Sequence, residues 1–143
     1  MQTNTGMTLF EQTMKSHHMR ISNGRRDIFQ VLSDASQPLS IQEIVARIDS
    51  AHFVSVYRSI DALRKVRIIK QVPQGFKNRY ELSDSFKPHH HHISCERCDY
   101  SAEINDKRIE SLMKELAAKS GLTPTTHHFE MYGICEKCRL AAS

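Results

Sequence analysis

The chain has 143 residues, of which 39% are hydrophobic, and its formal net charge is +4 at pH 7. This length allows one ordinary domain or two small ones, and two small domains would each gain stability from a metal ion or a partner subunit. No apolar run reaches the roughly 20 residues of a membrane span, and the start of the chain lacks the apolar segment of a signal peptide. We therefore expect a cytoplasmic protein without membrane contact.

The charge is unevenly distributed along the chain. Residues 1–88 contain 13 Lys and Arg against 8 Asp and Glu, whereas residues 89–143 contain 7 against 8. A basic half beside a nearly neutral half is typical of a protein whose basic part meets a polyanion, although a solvated surface has the same pattern. The first half is thus a candidate for contact with nucleic acid.

Three helices are predicted in the first half. Apolar residues at helical spacing predict the first helix over residues 22–32. Ser40 and Glu43 form a capping-box pattern at the start of the second helix, which continues with a stripe of apolar residues. Ser55 is positioned to cap the third helix.

A hairpin is predicted to follow these helices. Residues 68–72 have the composition of a strand, and the Pro-Gln-Gly sequence of residues 73–75 supplies turn chemistry. Alternate positions starting at Phe76 mark a returning strand that ends at Leu82. Helices followed by a two-stranded hairpin are the outline of a winged helix-turn-helix.

The second half has a different outline. The polar stretch 83–88 ends in a proline, which suits a hinge. Beyond it the pattern predicts a helix capped by Asp106 and three short strands at residues 89–94, 100–104 and 127–134. We therefore predict an α+β protein with a winged helix-turn-helix at residues 1–82 and a small α/β domain at residues 89–143.

Two cysteine pairs lie in the second half, at Cys95, Cys98, Cys135 and Cys138. A gap of two residues lets a tight turn aim both sulfurs at one ion, and two such pairs complete the tetrahedral four-sulfur shell of structural Zn²⁺. A redox CxxC motif or disulfide pairs are the alternatives, but a reducing cytoplasm favours metal thiolates. Because protein ligands would saturate this Zn²⁺, its role would be structural and not sensing.

Four consecutive histidines, His89, His90, His91 and His92, lead into the first cysteine pair. In an extended segment, His89 and His91 point to one face while His90 and His92 point to the other, so the run can supply two metal sites. A solvated polar tract is the alternative, and the position in mid-chain argues against a purification-tag remnant. Imidazole with carboxylate suits Zn²⁺, Fe²⁺, Mn²⁺, Co²⁺ or Ni²⁺. Further candidate ligands lie in nearby predicted elements: Glu81, Glu103, Glu110, His127 and His128.

The third predicted helix carries the residues expected to meet DNA. Ser55, Tyr57 and Arg58 lie near its start, where a recognition helix contacts base edges. Arginine makes paired hydrogen bonds to guanine, and a tyrosine ring packs on a thymine methyl group. Other basic residues are candidates for phosphate contacts, although each is also ordinary surface charge: Arg25, Arg26, Arg64, Lys65, Arg67 and Lys77.

Together these features resemble the ferric uptake regulator family of bacterial metalloregulators. The matching segments are GRRDIFQVL, SIQEIVARI, VSVYRSIDALRKVRIIKQV, NRYEL, HHHHISCERC and HHFEMYGICEKC, and they cover nearly the whole chain from about residue 20. The resemblance implies a homodimer whose winged helices bind an AT-rich inverted repeat of double-stranded DNA, with residues 89–143 as the dimerisation domain. It also implies a repressor of metal-uptake genes.

The resemblance implies three metal sites in each chain. The four cysteines would hold structural Zn²⁺. A regulatory site at the hinge would draw on Glu81, His90, His92 and Glu103. An additional site would consist of His89, His91, Glu110 and His127. The alternation of side chains separates the same histidine pairs independently of the family.

Three departures from the family pattern matter, and two of them lie in the first half of the chain. Pro38 stands about where the family usually supplies a histidine to the regulatory site. A fifth ligand would then be missing or would come from His17, His18 or His52. The segment before the recognition helix, residues 49–54, is also shorter than is usual in the family.

Other positions indicate which branch of the family the chain resembles. His91 replaces an aspartate that is common in iron-sensing members, and in this the chain resembles the zinc-sensing branch. The hinge nevertheless lacks the extra cysteine of that branch. Glu103 argues against a resemblance to the peroxide-sensing branch, because members of that branch resemble one another in using aspartate at this position. The expected regulatory metal is therefore Fe²⁺ first and Zn²⁺ next, with Mn²⁺ or Ni²⁺ as further candidates.

Two rival functions would use some of the same residues. A zinc hydrolase would need an open metal position and a general base, but the HExxH motif is absent and no nucleophile motif occurs, so we expect neither an enzyme nor a small organic substrate. A metal buffer or metallochaperone would use the histidine clusters alone. It would have no need of a winged helix that carries Tyr57 and Arg58.

Overall fold

The computed structural model describes residues 2–49, 52–74 and 77–142. Gly75 of the predicted turn and Phe76 of the predicted returning strand lie outside the described residues. The chain divides into two units, Met1–Pro88 and His89–Ser143. Among the described helices, none combines the length and apolar character that crossing a membrane requires.

The first unit begins with four helices, α1 (Gln2–Ser16), α2 (Asn23–Asp34), α3 (Ile41–Ala46) and α4 (Phe53–Lys65). α2 matches the first predicted helix, and the hydroxyl oxygen of Ser22 caps it by accepting the backbone N–H of Arg25 at 3.3 Å. The predicted capping box of α3 is confirmed. The Ser40 hydroxyl accepts the backbone N–H of Glu43 at 3.2 Å, and the Glu43 carboxylate accepts the backbone N–H of Ser40 at 2.7 Å.

Two features of these helices differ from the sequence predictions. α1 was not predicted because its apolar residues are sparse, yet Phe10 and Met14, four residues apart, are fully buried. The prediction that Ser55 caps α4 is wrong. His52 occupies the N-cap without a side-chain capping hydrogen bond, and its carbonyl oxygen already accepts the backbone N–H of Val56 at 3.0 Å, so the helix begins before Ser55.

The hairpin follows α4 as two antiparallel strands, β1 (Ile69–Gln74) and β2 (Lys77–Leu82), with Ile69 opposite Leu82. Leu39, just before α3, adds a short bridge to Tyr80 through two hydrogen bonds of 2.9 and 2.8 Å. This bridge ties the wing to the start of α3. The helices and the hairpin pack around one apolar core, to which α1, α2, α3, α4 and both strands contribute. The first unit is therefore a winged helix-turn-helix, extended at its start by α1.

The second unit is a small α/β unit with a three-stranded sheet. Its strands are β3 (His91–Cys95), β4 (Ser101–Ile104) and β5 (Glu130–Gly133), in the order β4-β3-β5. β3 pairs antiparallel with β4 and parallel with β5. α5 (Lys107–Lys119) joins β4 to β5, and Asp106 caps it as predicted by accepting the backbone N–H of Arg108 at 2.9 Å. A short helix that was not predicted, α6 (Glu136–Ala141), follows β5.

The interior of the second unit is polar. Its described buried residues are His90, His91, His92, Ser94, Cys95 and Ser101. Many of its large apolar residues are exposed, among them Leu112 and Leu116 on α5 and Met131 and Tyr132 on β5, and others such as Phe129 are half-buried. Burial of apolar side chains within one chain therefore contributes little to the stability of this unit.

Candidate metal centres and nucleic-acid interface

The four cysteines form one group in the second unit. Cys95 ends β3, and the parallel pairing of β3 with β5 puts it opposite Gly133, two residues before Cys135. The four Sγ atoms lie within 4.8 Å of one another, with 3.6 Å between those of Cys98 and Cys135. A zinc tetrahedron with bonds of about 2.3 Å has sulfur–sulfur edges of about 3.8 Å. The group therefore fits a structural zinc site.

Backbone N–H groups and crowding of the sulfurs shift the thiol pKa values in opposite directions. The backbone N–H groups of Cys135 and Arg97 donate to the Cys95 sulfur, each at 3.4 Å, and lower the pKa of that thiol to about 6. The neighbouring sulfurs of Cys135 and Cys98, with burial, raise the pKa of Cys138 to about 12. Four thiolates at this spacing repel one another, so a cation is needed to hold all four in the ionised form.

A second group surrounds the Glu110 carboxylate. One of its oxygens lies 2.7 Å from Nε2 of His91 and 3.2 Å from Nε2 of His127. Nε2 of His89 lies 3.1 Å from Nε2 of His127. The four side chains offer ligand atoms within 4.8 Å of one another, whereas the exposed His128 stands outside the group.

α5 carries the only carboxylate of this group, in its first turn. The hydrogen bond from His91, and after it the hydrogen bond and charge of His127, hold the pKa of the Glu110 carboxyl below its usual value. Three imidazoles and one carboxylate form a nitrogen-rich shell that accepts Zn²⁺ and other first-row divalent ions. The donor set therefore fits a second metal site within the second unit.

The other pair of histidines faces away from this group, as the alternation predicts. The ring centroids of His90 and His92 lie 4.9 Å apart. Glu103 is the partner of His92 across β3 and β4, and its Oε1 lies 3.8 Å from Nε2 of His90. The second unit thus brings together three of the four residues expected at the regulatory site.

Glu81, the fourth expected residue, lies on β2 of the first unit and faces basic side chains. Its side chain is 4% exposed, and its Oε1 lies 3.3 Å from Nζ of Lys70. Its Oε2 lies 3.8 Å from Nζ of Lys87. Lys70 also pairs with Asp84, at 2.7 Å. Burial would lower the pKa of Lys70, but the hydrogen bond to Asp84 and the charge of Glu81 outweigh burial and raise it.

The candidate DNA-reading face lies at the start of α4. Tyr57 is 56% exposed, and Ser55 and Arg58 are exposed beside it. The structure adds Phe53 and Val54, which are 48% and 59% exposed at the first turn of the same helix. Sequence reasoning missed them because a helix beginning at Ser55 leaves both outside it. Exposed aliphatic and aromatic groups at this end can pack against thymine methyl groups.

The residues expected to contact phosphates differ in their surroundings. Arg64 and Lys77 are exposed. Arg25 is partly buried and donates from Nη1 to the carbonyl oxygen of Arg20 at 2.6 Å. Arg26 pairs with Glu11 at 2.8 Å, and Lys65 pairs with Asp61 at 2.9 Å. Arg26 and Lys65 thus have intramolecular partners that compete with phosphate.

Pro38, which the resemblance places at the position of a regulatory-site histidine, contacts another residue of the first unit. Its carbonyl oxygen accepts a hydrogen bond of 3.1 Å from Nη1 of the buried Arg79. Among the residues that the structure describes, His17, His18 and His52 belong to no group of three or more closely spaced ligand atoms. In the described part of the first unit, the geometry therefore does not support a fifth ligand from any of these three histidines.

A winged helix-turn-helix with an exposed recognition helix, joined to a unit built around cysteine and histidine groups, defines a metal-dependent DNA-binding transcription regulator. The model of the ferric uptake regulator family matches residues 16–132, which is most of the chain, and the chain belongs to this family.

Known relatives agree with this assignment over nearly their full length. The ferric uptake regulation protein of Escherichia coli strain K12 is 27% identical over 141 residues, covering 93% of this chain and 94% of that protein. The ferric uptake regulator of Helicobacter pylori, whose structure is reported to reveal three functional metal binding sites, is 26% identical with a TM-score of 0.83, covering 95% and 93% of the two chains. The Vibrio cholerae regulator is 27% identical with a TM-score of 0.74, covering 87% and 98%.

Family membership confirms several predictions. The fold class and the resemblance are confirmed, because the chain shares the mixed helix and sheet architecture of these regulators. Members of the family are metal-dependent transcriptional regulators that bind DNA and form dimers, and they are not enzymes. The rival functions of hydrolase and metal buffer are thereby set aside.

Proposed function

We propose that this regulator is a cytoplasmic homodimer that represses metal-uptake genes when its regulatory site is filled, with Fe²⁺ as the first candidate metal and Zn²⁺ as the next. The observation that carries the proposal is the division of four consecutive histidines between two faces of one strand. His89 and His91 meet Glu110, whereas His90 lies near Glu103 and His92. One face therefore has its own carboxylate-centred shell, and the other is available to a separate ion.

The four cysteines are proposed to hold Zn²⁺ with a structural role. The sulfur spacing and the backbone N–H donors to Cys95 and Cys98 support this role. When bound, Zn²⁺ supplies the positive charge that lets all four thiols ionise. The bound ion would then link the segment between β3 and β4, through Cys95 and Cys98, to the start of α6, through Cys135 and Cys138.

The regulatory site is proposed to consist of Glu81 from the wing and His90, His92 and Glu103 from the second unit. Ligands that come from both sides of residues 83–88 would favour one orientation of the DNA-binding unit over the others. A ligand that binds one orientation 100-fold better than the rest shifts the balance by roughly 2.7 kcal/mol. The group around Glu110 is proposed as the additional metal site.

The operator is proposed to be an AT-rich inverted repeat. A twofold-symmetric dimer presents two copies of α4, and an inverted repeat has the matching symmetry. The exposed Tyr57, with Phe53 and Val54 beside it, supports contact with thymine methyl groups. Ser55 and Arg58 would contact base edges, while Arg25, Arg64 and Lys77 would contact phosphates.

The test is DNA binding by the zinc-replete full-length protein, titrated anaerobically with Fe²⁺, Zn²⁺ and Mn²⁺ at buffered free concentrations. We expect Fe²⁺ to give binding to an AT-rich inverted repeat at the lowest free concentration, with a steep dependence on salt. His90→Ala and His92→Ala should abolish the metal-dependent part while the protein stays folded and dimeric. His128→Ala is the matched control, because this exposed histidine lies outside the ligand groups. Metal-dependent binding by His90→Ala equal to that of His128→Ala would overturn the role of His90.

A further inference from the structure

The Glu81 carboxylate faces two ammonium groups within its own unit. Nζ of Lys70 lies 3.3 Å from Oε1, and Nζ of Lys87 lies 3.8 Å from Oε2. The side chain of Glu81 is 4% exposed, and those of Lys70 and Lys87 are 30% and 25% exposed. Charges this well shielded from solvent interact more strongly than charges at an open surface. Both oxygens of a proposed metal ligand are thus paired with cations that belong to the protein.

The register of the hairpin holds one of these cations in place. Lys70 on β1 is the direct cross-strand partner of Glu81 on β2. Directly opposed side chains of an antiparallel pair are held within reach of each other by the backbone. The Lys70–Glu81 pair is therefore built into the wing and does not depend on a chance side-chain conformation.

Lys70 has a second partner that lies closer than Glu81. Its Nζ is 2.7 Å from Oδ1 of Asp84, the residue that follows β2 by two positions. One ammonium group is thus shared between two carboxylates, Glu81 and Asp84. It can give up Glu81 and remain paired with Asp84, so release of Glu81 does not leave Lys70 without a counter-ion.

A divalent ion at Glu81 would meet the charge of Lys70 at short range. A metal–oxygen bond of about 2.1 Å would bring the ion to within a few ångströms of an ammonium group that contacts the same oxygen. Like charges at that separation repel, and a lone pair shared with an N–H donor is less available to a metal. Metal and lysine must therefore compete for Glu81.

We propose that Lys70 is a built-in competitor for metal at Glu81, with Asp84 as its alternative partner, and that this competition sets the metal concentration at which the regulatory site fills. The proposal rests on the proposed function of Glu81 as a regulatory ligand. Lys70 is a positioning residue that acts through Glu81 without touching the ion. Lys87, at the longer distance, has the same effect to a smaller extent.

The test is a Co²⁺ titration of the zinc-replete full-length protein, followed by the visible absorption of bound Co²⁺. The component of the isotherm that Glu81→Gln removes identifies the site that contains Glu81. For this component, Lys70→Met should raise the affinity by about tenfold, because it removes one competing charge and keeps the apolar stem. Lys87→Met should raise it by about threefold. Lys65→Met is the matched control, since it removes the same charge from an ion pair with Asp61 on α4.

A double-mutant cycle tests the role of Asp84. Asp84→Asn removes the alternative partner of Lys70, so it should lower the affinity for Co²⁺ by about threefold. In the Lys70→Met background the same substitution should have no effect, whereas a general loss of negative charge would lower the affinity equally in both backgrounds. Thermal melting of each variant shows whether it is folded, and Lys87→Met supplies the measurement if Lys70→Met is not.

The outcomes separate the inference from the function on which it rests. If Glu81→Gln leaves every Co²⁺ component unchanged, the proposed ligand role of Glu81 fails. A second outcome is that Glu81→Gln removes a component, but Lys70→Met and Lys87→Met bind Co²⁺ at that component with the same midpoint as the control Lys65→Met. The competition is then overturned, while the ligand role of Glu81 stands. Tighter binding in Lys70→Met and a vanishing effect of Asp84→Asn in that background support the competition.

Discussion

The two units of this regulator are stabilised in different ways. In the first unit the buried residues are mainly apolar and come from all four helices and the wing, with Ile44, Leu63 and Ile68 fully buried. In the second unit the described buried residues are histidines, serines and a cysteine, and α5 has no buried residue. The first unit is therefore stabilised by removing apolar surface from water, whereas the second unit has a cysteine group that fits a structural zinc site and leaves many apolar side chains exposed.

The difference indicates which contributions to stability would change when metal is removed. A buried apolar side chain contributes roughly 1.5–3 kcal/mol whether metal is present or not. A site of four thiolates contributes only when a cation holds it together. The exposed apolar residues of the second unit, such as Leu112, Leu116 and Met131, support an interface between two copies of the chain. The candidate DNA-reading face and the cysteine group thus belong to units with different sources of stability.

The largest expected effect would break the second unit and leave the first intact. Cys135→Ser removes one of four ligands, and structural Zn²⁺ contributes on the order of 10 kcal/mol in small zinc-dependent domains. We expect loss of Zn²⁺ and rapid proteolysis within residues 89–143, while the first unit stays resistant. Metal analysis and limited proteolysis with mass spectrometry measure both results. Ser111→Ala, an exposed position on α5, is the control. A zinc-replete and protease-resistant Cys135→Ser protein would contradict the proposed dependence on metal.

The next largest expected effect would destabilise the first unit and leave the second intact. Leu63 is fully buried in the first unit, and Leu63→Ala should cost about 2–5 kcal/mol because it removes apolar contacts and leaves a cavity. Urea unfolding should show the first unit destabilised, with the zinc content and the protease resistance of the second unit unchanged. Leu9→Ala, at a position that is 38% exposed, should cost less. Equal destabilisation of both units by Leu63→Ala would show that they do not fold independently.

The smallest effect concerns an ion pair that ties the wing to α3. Burial alone would raise the pKa of the Glu43 carboxyl, but hydrogen bonds from Ser40 and the charge of Arg79, 2.8 Å away, hold it below its usual value of 4.5. A carboxyl group with a lowered pKa in the folded state adds stability above its unfolded pKa and loses it as pH falls through the folded value. The stability of the first unit should therefore decline as the pH is lowered below about 4.5.

Glu43→Gln should flatten that decline and lower the stability at neutral pH. The measurement is urea unfolding of the first unit between pH 3 and pH 7, followed by circular dichroism. Glu115→Gln on α5, which alters an exposed ion pair with Lys119, is the control and should leave the slope unchanged. A slope that Glu43→Gln does not alter would remove Glu43 as a source of the pH dependence.

Local patterns predicted the elements whose stabilising residues are close in sequence. Ser40 and Glu43 are three residues apart, so the capping box that starts α3 could be read from the chain alone. Spacing also predicted the grouping of the cysteines and the separation of the histidines onto two faces, because a two-residue turn and the alternation of a strand are local geometry. Motif resemblance extended these patterns to Glu110 and His127.

Elements that depend on distant contacts could not be predicted in this way. α1 has few apolar residues, and its burial of Phe10 and Met14 depends on α2, where Phe29 packs against Phe10 with 4.8 Å between ring centroids. The start of α4 at Phe53 depends on a backbone hydrogen bond and not on a capping side chain, so a search for capping residues put the N-cap at Ser55, three positions after His52. Phe53 and Val54 were missed at the candidate DNA face for the same reason.

The sequence by itself determined the chemistry that this protein has available: which residues can bind metal, which helix carries the candidate DNA-reading residues, and where the chain changes from a basic to a nearly neutral half. Only the tertiary structure decided that Lys70 lies opposite Glu81 and shares its charge with Asp84, and that the second unit buries polar side chains while many of its apolar ones are exposed. Ligand type and spacing are properties of short segments. Charge pairing across strands and the balance of burial depend on how segments far apart in the chain come together.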